Sequence, residues 1–504
     1  MKYNEGANPP SNNVANLELG QPDFLHSSPN TVDPSTFNNP ENVAVDRLNH
    51  LYVSDMNNSR VLGFANASSF LNGASATIVI GQPDFFSLAC NNGGVNAATL
   101  CNPAGVAVDS ANNLYVSDYA NHRVLIYFTP FTKTSVAGSG DSIADLVLGQ
   151  GSNFFSNACN HGGAPNAETL CNPDGLKLDR AGNLWVADDS NHRVLEYYSP
   201  LFNTAANFVI GQADFFHNSC NRGGAVTAST LCNPAGVASD STGNIYVADF
   251  NNNRVLVYKS PLFANGVPGS GDAVADLEFG QGNGSGTDFT HSTCNSTGVN
   301  ANGLCNPNDV ALDANNNLYV ADFSNHRTLE YNSPLTTNTA ADRAFGQADS
   351  LTSNACNFGG SGPSSASECH PTSVALDASG NLYVADRDNN RVLQYDPPHF
   401  SPAGLTFKHV AVYRSATKTV YLVNTQGVWL NNIAISLNGD GEFKIGKNSC
   451  ARSLPPNGKC KLEVVFHRTS QGVKSATLSA KDDATNTPQQ AVLAGGRKPL
   501  TAEE

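Results

Sequence analysis

The chain has 504 residues, of which 14% are charged and 40% hydrophobic, with 44 glycines and asparagine at most turns. That length exceeds one ordinary core, so several domains or one large closed repeat are expected, built from short strands and tight turns rather than long helices. Residues 1–400 carry 15 basic and 36 acidic side chains, while residues 401–504 carry 13 and 7. So acidic a larger part repels phosphate backbones, which argues against nucleic acid as its partner.

Residues 1–16 form a polar segment with no apolar core of a signal peptide, and no run approaches the roughly 18 apolar residues of a membrane span. Leu17-Glu-Leu-Gly-Gln21 then reads as a short strand. From Pro40 onward three phrases repeat. Pro103-Ala-Gly-Val-Ala-Val-Asp109, Asn113-Leu-Tyr-Val-Ser-Asp118 and Asn121-His-Arg-Val-Leu-Ile-Tyr127 have counterparts starting at Pro40, Pro173, Pro234, Pro307 and Pro371. Their apolar residues alternate at period two, as half-buried strands require. A fourth strand ending in Gly-Gln follows at Ile78–Gln82, Leu146–Gln150, Phe208–Gln212, Leu277–Gln281 and Arg343–Gln347.

Twelve cysteines fall in six close pairs: Cys90 and Cys101, Cys159 and Cys171, Cys220 and Cys232, Cys294 and Cys305, Cys356 and Cys369, Cys450 and Cys460. Zinc knuckle spacing is missing, so local disulfides are expected, each contributing about 3 kcal/mol by loop closure. Such bonds place the protein outside the cytosol, whether extracellular, periplasmic or at the cell surface. Export then requires a leader outside the chain as given.

The phrase Asn-His-Arg-Val-Leu preceded by Leu-Tyr-Val-Ala-Asp resembles the NHL repeat family. The resemblance implies an all-β fold in which residues 17–400 form a six-bladed β-propeller. The last copy lacks a Gly-Gln strand of its own, so Leu17–Gln21 is expected to supply the outer strand of the sixth blade and close the ring. Beyond Leu405 the repeats stop. Thr419–Asn424, Ile433–Leu437, Cys460–Phe466 and Ala476–Ala480 read as alternating strands. With Phe443-Lys-Ile-Gly-Lys-Asn-Ser-Cys450 and Gly458-Lys-Cys460, residues 404–495 resemble an immunoglobulin-like β-sandwich of the ASPM/SPD-2/hydin type. Residues 496–504 are a tail.

The conspicuous polar groups recur in every copy: Asp118 and Arg123, Asp188 and Arg193, Asp249 and Arg254, Asp322 and Arg327, and likewise Asp55 and Arg60, Asp386 and Arg391. A group needed in all six blades is expected to pair locally across its loop. Together with His122, His192 and His326 these residues mark the face where a partner is expected, because five disulfide loops lie at the same end of the blades. Some NHL-like propellers are zinc-dependent lyases, which raises a metal at the three histidines. Ser59, Asn253 and Asn390 take that position elsewhere, as in a tolerant loop, so no cofactor is expected, with Zn²⁺ and Ca²⁺ the alternatives. Asp109, Asp179, Asp240, Asp313 and Asp377 are expected to cap turns. The pairs Phe85-Phe86, Phe154-Phe155 and Phe215-Phe216 are expected to plug between blades rather than stack on sugars.

The chain has no G-x-S-x-G elbow, phosphate loop or H-E-x-x-H helix. The expected role is a secreted or cell-surface protein binding a protein or glycan through the disulfide-loop face. The alternative is an extracellular propeller enzyme of the metal-dependent lyase or lactonase type. An irregular cluster of His, Tyr and carboxylates in the channel would favour the enzyme, and none is visible outside the repeat frame.

Overall fold

The computed structural model describes residues 14–29, 31–65, 71–132, 142–261, 273–281, 286–332, 334–335, 339–348, 350–360, 362–378, 380–396, 399–401, 404–408, 410–425, 430–455, 458–482 and 489–495. Most of the polar segment 1–16 and the whole tail 496–504 lie outside the described residues. The chain divides into two compact units, Ala15–Tyr395 and Met1–Val14 with Asp396–Glu504. Among the described residues there is no α-helix, and no helix is long and apolar enough to cross a membrane.

The larger unit is six four-stranded antiparallel sheets. From inner to outer strand, sheet one is Pro40–Val45, Leu51–Asp55, Arg60–Phe64 and Ile78–Ile80. Sheet two is Pro103–Val108, Leu114–Asp118, Arg123–Tyr127 and Leu146–Leu148. Sheet three is Pro173–Leu178, Leu184–Asp188, Arg193–Tyr197 and Phe208–Ile210. Sheet four is Pro234–Ser239, Ile245–Asp249, Arg254–Tyr258 and Leu277–Phe279. Sheet five is Pro307–Leu312, Leu318–Asp322, Arg327–Tyr331 and Arg343–Phe345. Sheet six has Pro371–Leu376, Leu382–Asp386 and Arg391–Tyr395, and its fourth strand is Leu17–Leu19, with Leu17 opposite Gln394 and Leu19 opposite Val392.

The first turn of each sheet is held by its aspartate. Asp109 Oδ1 accepts from the backbone N–H groups of Ala111 and Asn113, and Oδ2 accepts from Asn113 Nδ2 at 2.8 Å. The core lies between neighbouring sheets. Val61 and Ile80 of sheet one pack with Val106 and Val116 of sheet two, and Trp185 of sheet three packs with Val237 and Val247 of sheet four. Leu19, Tyr383 and Val392 of sheet six pack with Val43, Val53 and Leu62 of sheet one. Each such buried side chain contributes about 1.5–3 kcal/mol.

The smaller unit contains two four-stranded sheets around one core. The first takes the order His399–Ser401, Ser415–Val423, Lys459–His467, Phe443–Asn448. The second takes Gly404–Phe407, Gln489–Gly495, Lys474–Lys481, Ala434–Gly439. Val420, Leu462 and Phe466 from one face Phe407, Leu478 and Leu493 from the other. The strand His399–Ser401, whose first two residues were expected to end the repeats, pairs with Tyr421–Val423 and therefore belongs to this unit. All six expected disulfides are formed, and no cysteine is free.

Candidate functional site

Between the second and third strands of each sheet lies a single 3-10 turn, and its charged pair is locked inside the protein. In sheet two, Asp118 Oδ1 accepts from the Cys101 backbone N–H at 2.7 Å, and Oδ2 accepts from Asn121 Nδ2 and Arg123 Nε. Arg123 Nη2 donates to the carbonyls of Asn96 and Thr99, inside the disulfide loop, and Nη1 donates to the Phe154 carbonyl. Asp55–Arg60, Asp188–Arg193, Asp249–Arg254, Asp322–Arg327 and Asp386–Arg391 repeat the latch, and all twelve side chains have no exposed surface. Asp118, Arg123, Asp188, Arg193, Asp249, Arg254, Asp322 and Arg327, expected on the candidate face, thus lie beneath it and pin the disulfide loop to the turn, while Arg60 holds a loop without a disulfide through the carbonyls of Asp33 and Thr36.

His122, His192 and His326 have another task. Each sits in the left-handed region (φ 54°, 52° and 55°), which His, Asn and Asp enter more readily than most residues. His122 Nδ1 accepts from the Asn172 backbone N–H at 3.0 Å, His192 Nδ1 from that of Asn233 at 3.0 Å, and His326 Nδ1 from that of His370 at 3.2 Å. Asn253 Oδ1 accepts from Asn306, Asn390 Oδ1 from Asn39, and Ser59 Oγ from Asn102. The position needs an acceptor to the next sheet, which explains the exchange of His, Asn and Ser. Burial holds the three imidazoles below their ordinary pKa, as suits a neutral acceptor.

The three histidines do not meet. His326, His370 and Cys369 offer ligand atoms within 4.8 Å of one another, but the Cys369 sulfur is bonded to Cys356 and His326 Nδ1 is already used. The donor set therefore does not fit a metal centre. In each aromatic pair the first ring packs inward and the second stands out: Phe86, Phe155 and Phe216 are 68%, 76% and 68% exposed.

What differs between repeats gathers near the inner strands. The residue that follows each latch aspartate is Met56, Tyr119, Asp189, Phe250, Phe323 or Arg387. Tyr119 Oη lies 3.4 Å from Asp189 Oδ2, the Phe250 and Phe323 rings are 6.0 Å apart, and the Arg387 guanidinium lies 4.5 Å over the Phe323 ring. Beside them, the second and third inner-strand positions supply Glu41, Asn42, Asp174, Asn308, Asp309 and Ser373. Asn308 Nδ2 reaches Glu41 Oε1 at 3.5 Å, Asn42 Nδ2 reaches Asp309 Oδ2 at 3.4 Å, and Ser373 Oγ donates to the same oxygen at 2.7 Å. Burial pushes Glu41 up to about 7 and Asp309 up to about 6, and burial together with the charge of Glu41 pushes Asp174 well above the carboxylate range. Glu41 Oε2 is buried without a hydrogen-bond partner.

Glycines fix how tightly these strands approach. A Cβ on Gly105 would strike the Asp174 carbonyl oxygen, one on Gly175 the Ala235 carbonyl oxygen, and one on Gly236 the Asp309 Cα at 2.6 Å. The irregular carboxylate set was not expected from sequence. Comparing the repeats for disagreement at the two positions after each proline would have found it.

Residues 37–64, 100–127, 170–197, 231–258, 304–327 and 369–395 each match the NHL repeat. The chain carries six NHL repeats. Five of the matches span the inner three strands of one sheet with its latch, the fifth in chain order ends at Arg327 where the third strand begins, and four-stranded sheets repeated in this way are propeller blades. Similar solved structures include a catalytically inactive virginiamycin B lyase from Staphylococcus aureus with quinupristin, at 10% identity and TM-score 0.40, covering 75% of this chain and 97% of that one. A streptogramin B lyase matches at 10% and 0.40 over 74% and 95%, and a putative gluconolactonase at 12% and 0.40 over 76% and 96%. No curated protein matches the chain. The latches, the acceptor positions and the turns recur from repeat to repeat, whereas the residues after the latch aspartates and the inner-strand carboxylates differ between them.

Proposed function

We propose that the six NHL repeats form a closed propeller, that residues 404–495 form an immunoglobulin-like sandwich, and that the chain is a binding protein of an oxidising compartment, extracellular, periplasmic or cell-surface. Its partner is a glycan or protein engaged on the disulfide-loop face. The observation that carries this reading is the unlike set Met56, Tyr119, Asp189, Phe250, Phe323 and Arg387 mounted on six like latches. A rigid frame with variable tips is what recognition requires. Aromatic faces beside carboxylates suit the apolar face and hydroxyl edge of a sugar, so a glycan fits best. The pairing of Leu17–Leu19 with the last repeat and the apolar layer between sheets six and one support closure. Six disulfides support an oxidising compartment.

A glycan array probed with the full chain, with Tyr119→Ala/Phe323→Ala, and with a swap of residues 91–100 for 221–231 tests the reading. Binding by the full chain that falls at least tenfold in the double variant, with unchanged melting, is the expected result. Binding that persists in the double variant but vanishes in the loop swap moves recognition to the loops, and no glycan binding at all removes the glycan.

A second reading, an enzyme, is favoured by Glu41. A carboxyl group pushed up to about 7, with one oxygen unpartnered, is poised for general acid–base work at neutral pH. Turnover of a lactone panel that is lost in Glu41→Gln with binding retained would establish it over simple binding.

A further inference from the structure

At the far end of the inner strands, near the first turns, one residue breaks the repeat. The fifth inner-strand position is Ala44, Ala107, Ala238, Ala311 and Ala375 in five sheets and Lys177 in sheet three. Each alanine lies opposite a tyrosine, whereas Lys177 lies opposite Trp185. Nothing in the frame requires the lysine, since alanine serves five times out of six.

Lys177 lines a cavity of about 430 Å³ at the turn ends of sheets one to four, a volume in the range of small-molecule sites. Four aspartates also border it, but their oxygens are occupied by their own turns. Asp46 accepts from the backbone N–H groups of Leu48 and His50 and pairs with the His50 ring. Asp109 is held as already described, Asp179 accepts from Ala181, Asn183 and Trp185, and Asp240 accepts from Thr242 and Asn244. The cavity's other charged groups are Lys177, Arg47 and Arg180, none of which has a hydrogen-bond acceptor among the described residues. Burial lowers the Lys177 pKa, and the only charge that opposes this is Asp309, itself accepting from Ser373, Val310 and Val374. Lys177 is half-buried and lines the cavity with no acceptor among the described residues, at a position where five alanines show that the frame needs no charge.

We propose that this cavity is a second binding site, separate from the residues that follow the latch aspartates, and that it takes a sugar acid or sugar phosphate whose oxyanion meets Lys177 Nζ. The charged groups on the wall that are not held by their own turns, Lys177, Arg47 and Arg180, are all donors, so the ligand supplies acceptors. A lone phosphate leaves most of the volume empty, so a hydroxylated body of monosaccharide size accompanies the charge, with Ser110, Arg47 and Arg180 at hand for its oxygens.

The test is calorimetric titration of the full chain, Lys177→Ala and Lys177→Met with glucuronate, glucose 6-phosphate, glucose and inorganic phosphate, together with melting curves of the three proteins without ligand. One or both sugar anions are expected to bind the parent chain at one site and to lose at least tenfold in affinity in both variants, while glucose does not bind. Which anion binds separates carboxylate from phosphate. Lys177→Ala restores the repeat's own residue and is expected to melt at the same temperature as the parent or higher. No binding of either sugar anion, binding unchanged in the variants, or a lower melting temperature in both variants overturns the site. Inorganic phosphate binding as tightly as the sugar anions overturns the sugar body.

Discussion

Arg193 donates from Nε to Asp188 Oδ2 at 2.7 Å, and neither side chain reaches solvent. The same guanidinium holds the carbonyls of Asn166, Thr169 and Phe215, so one residue joins the disulfide loop, the latch turn and the segment after the outer strand. Removing one partner of a buried pair strands the other charge, at about 3–5 kcal/mol. Asp188→Asn and Arg193→Met are each expected to destabilise by that order in denaturant unfolding, and the double variant by less than the sum. Additive losses would show that the two side chains act independently.

The acceptor position predicts a hierarchy of substitutions. His192→Asn keeps an acceptor for the Asn233 N–H and tolerates the left-handed backbone, so it is expected to cost under about 0.5 kcal/mol. His192→Leu leaves that N–H unpaired and is expected to cost about 1–3 kcal/mol. Equal losses in thermal melts would mean that size, not hydrogen bonding, governs the site.

Stability is expected to fall as pH rises from 5 to 8. Glu368 stands where four repeats carry Leu100, Leu170, Leu231 and Leu304, and it accepts from Tyr395 and Thr328. Burial pushes it up to about 8, and Glu41, Glu196, Glu278 and Glu330 up to about 7. A folded pKa above the unfolded value gives stability that is full below about 4.5 and lost as pH climbs to the folded value, by roughly 1.4 kcal/mol per unit per group. His326, lowered to about 4, acts oppositely, losing stability as pH falls from about 6.5 toward 4. The carboxyl groups outnumber it, so melting is expected to be higher at pH 5 than at pH 8, and Glu368→Leu is expected to flatten the difference. A profile that rises with pH would contradict the assignment.

Deleting residues 1–22 removes the fourth strand of sheet six and Gln21, whose Nε2 donates to the carbonyls of Asn390 and Ser28. Val392 and Leu393 then lose their edge partner, and a fall in melting temperature of several degrees is expected. A truncated chain that melts like the parent would place closure elsewhere.

Repetition made most of the larger unit legible. The proline, the Asp-to-Arg spacing and the alternating valines gave each inner strand, and counting Gly-Gln strands assigned Leu17–Gln21 to sheet six, where Leu17–Leu19 forms the outer strand. The reason for the Gln was not legible, because it lies in distant carbonyls: Gln150 Nε2 donates to His122 and Ala158. Agreement between repeats also hid the site, since Glu41, Asp174, Lys177 and Asp309 sit where the pattern is broken. In the smaller unit Phe443–Asn448 carries a bulge after Ile445, and Gln489–Gly495 opens on two glutamines, so neither shows clean alternation.

Asn42 and Asn308, from sheets one and five, each bond a carboxylate of the other's sheet, Asp309 and Glu41, and glycine backbones of sheets two to four abut at the same level. Through these two bonds the first and fifth sheets hold each other's charged groups, so a change at Asn42 is felt at Asp309 and a change at Asn308 at Glu41. The inner strands answer to their neighbours as much as to their own sheets.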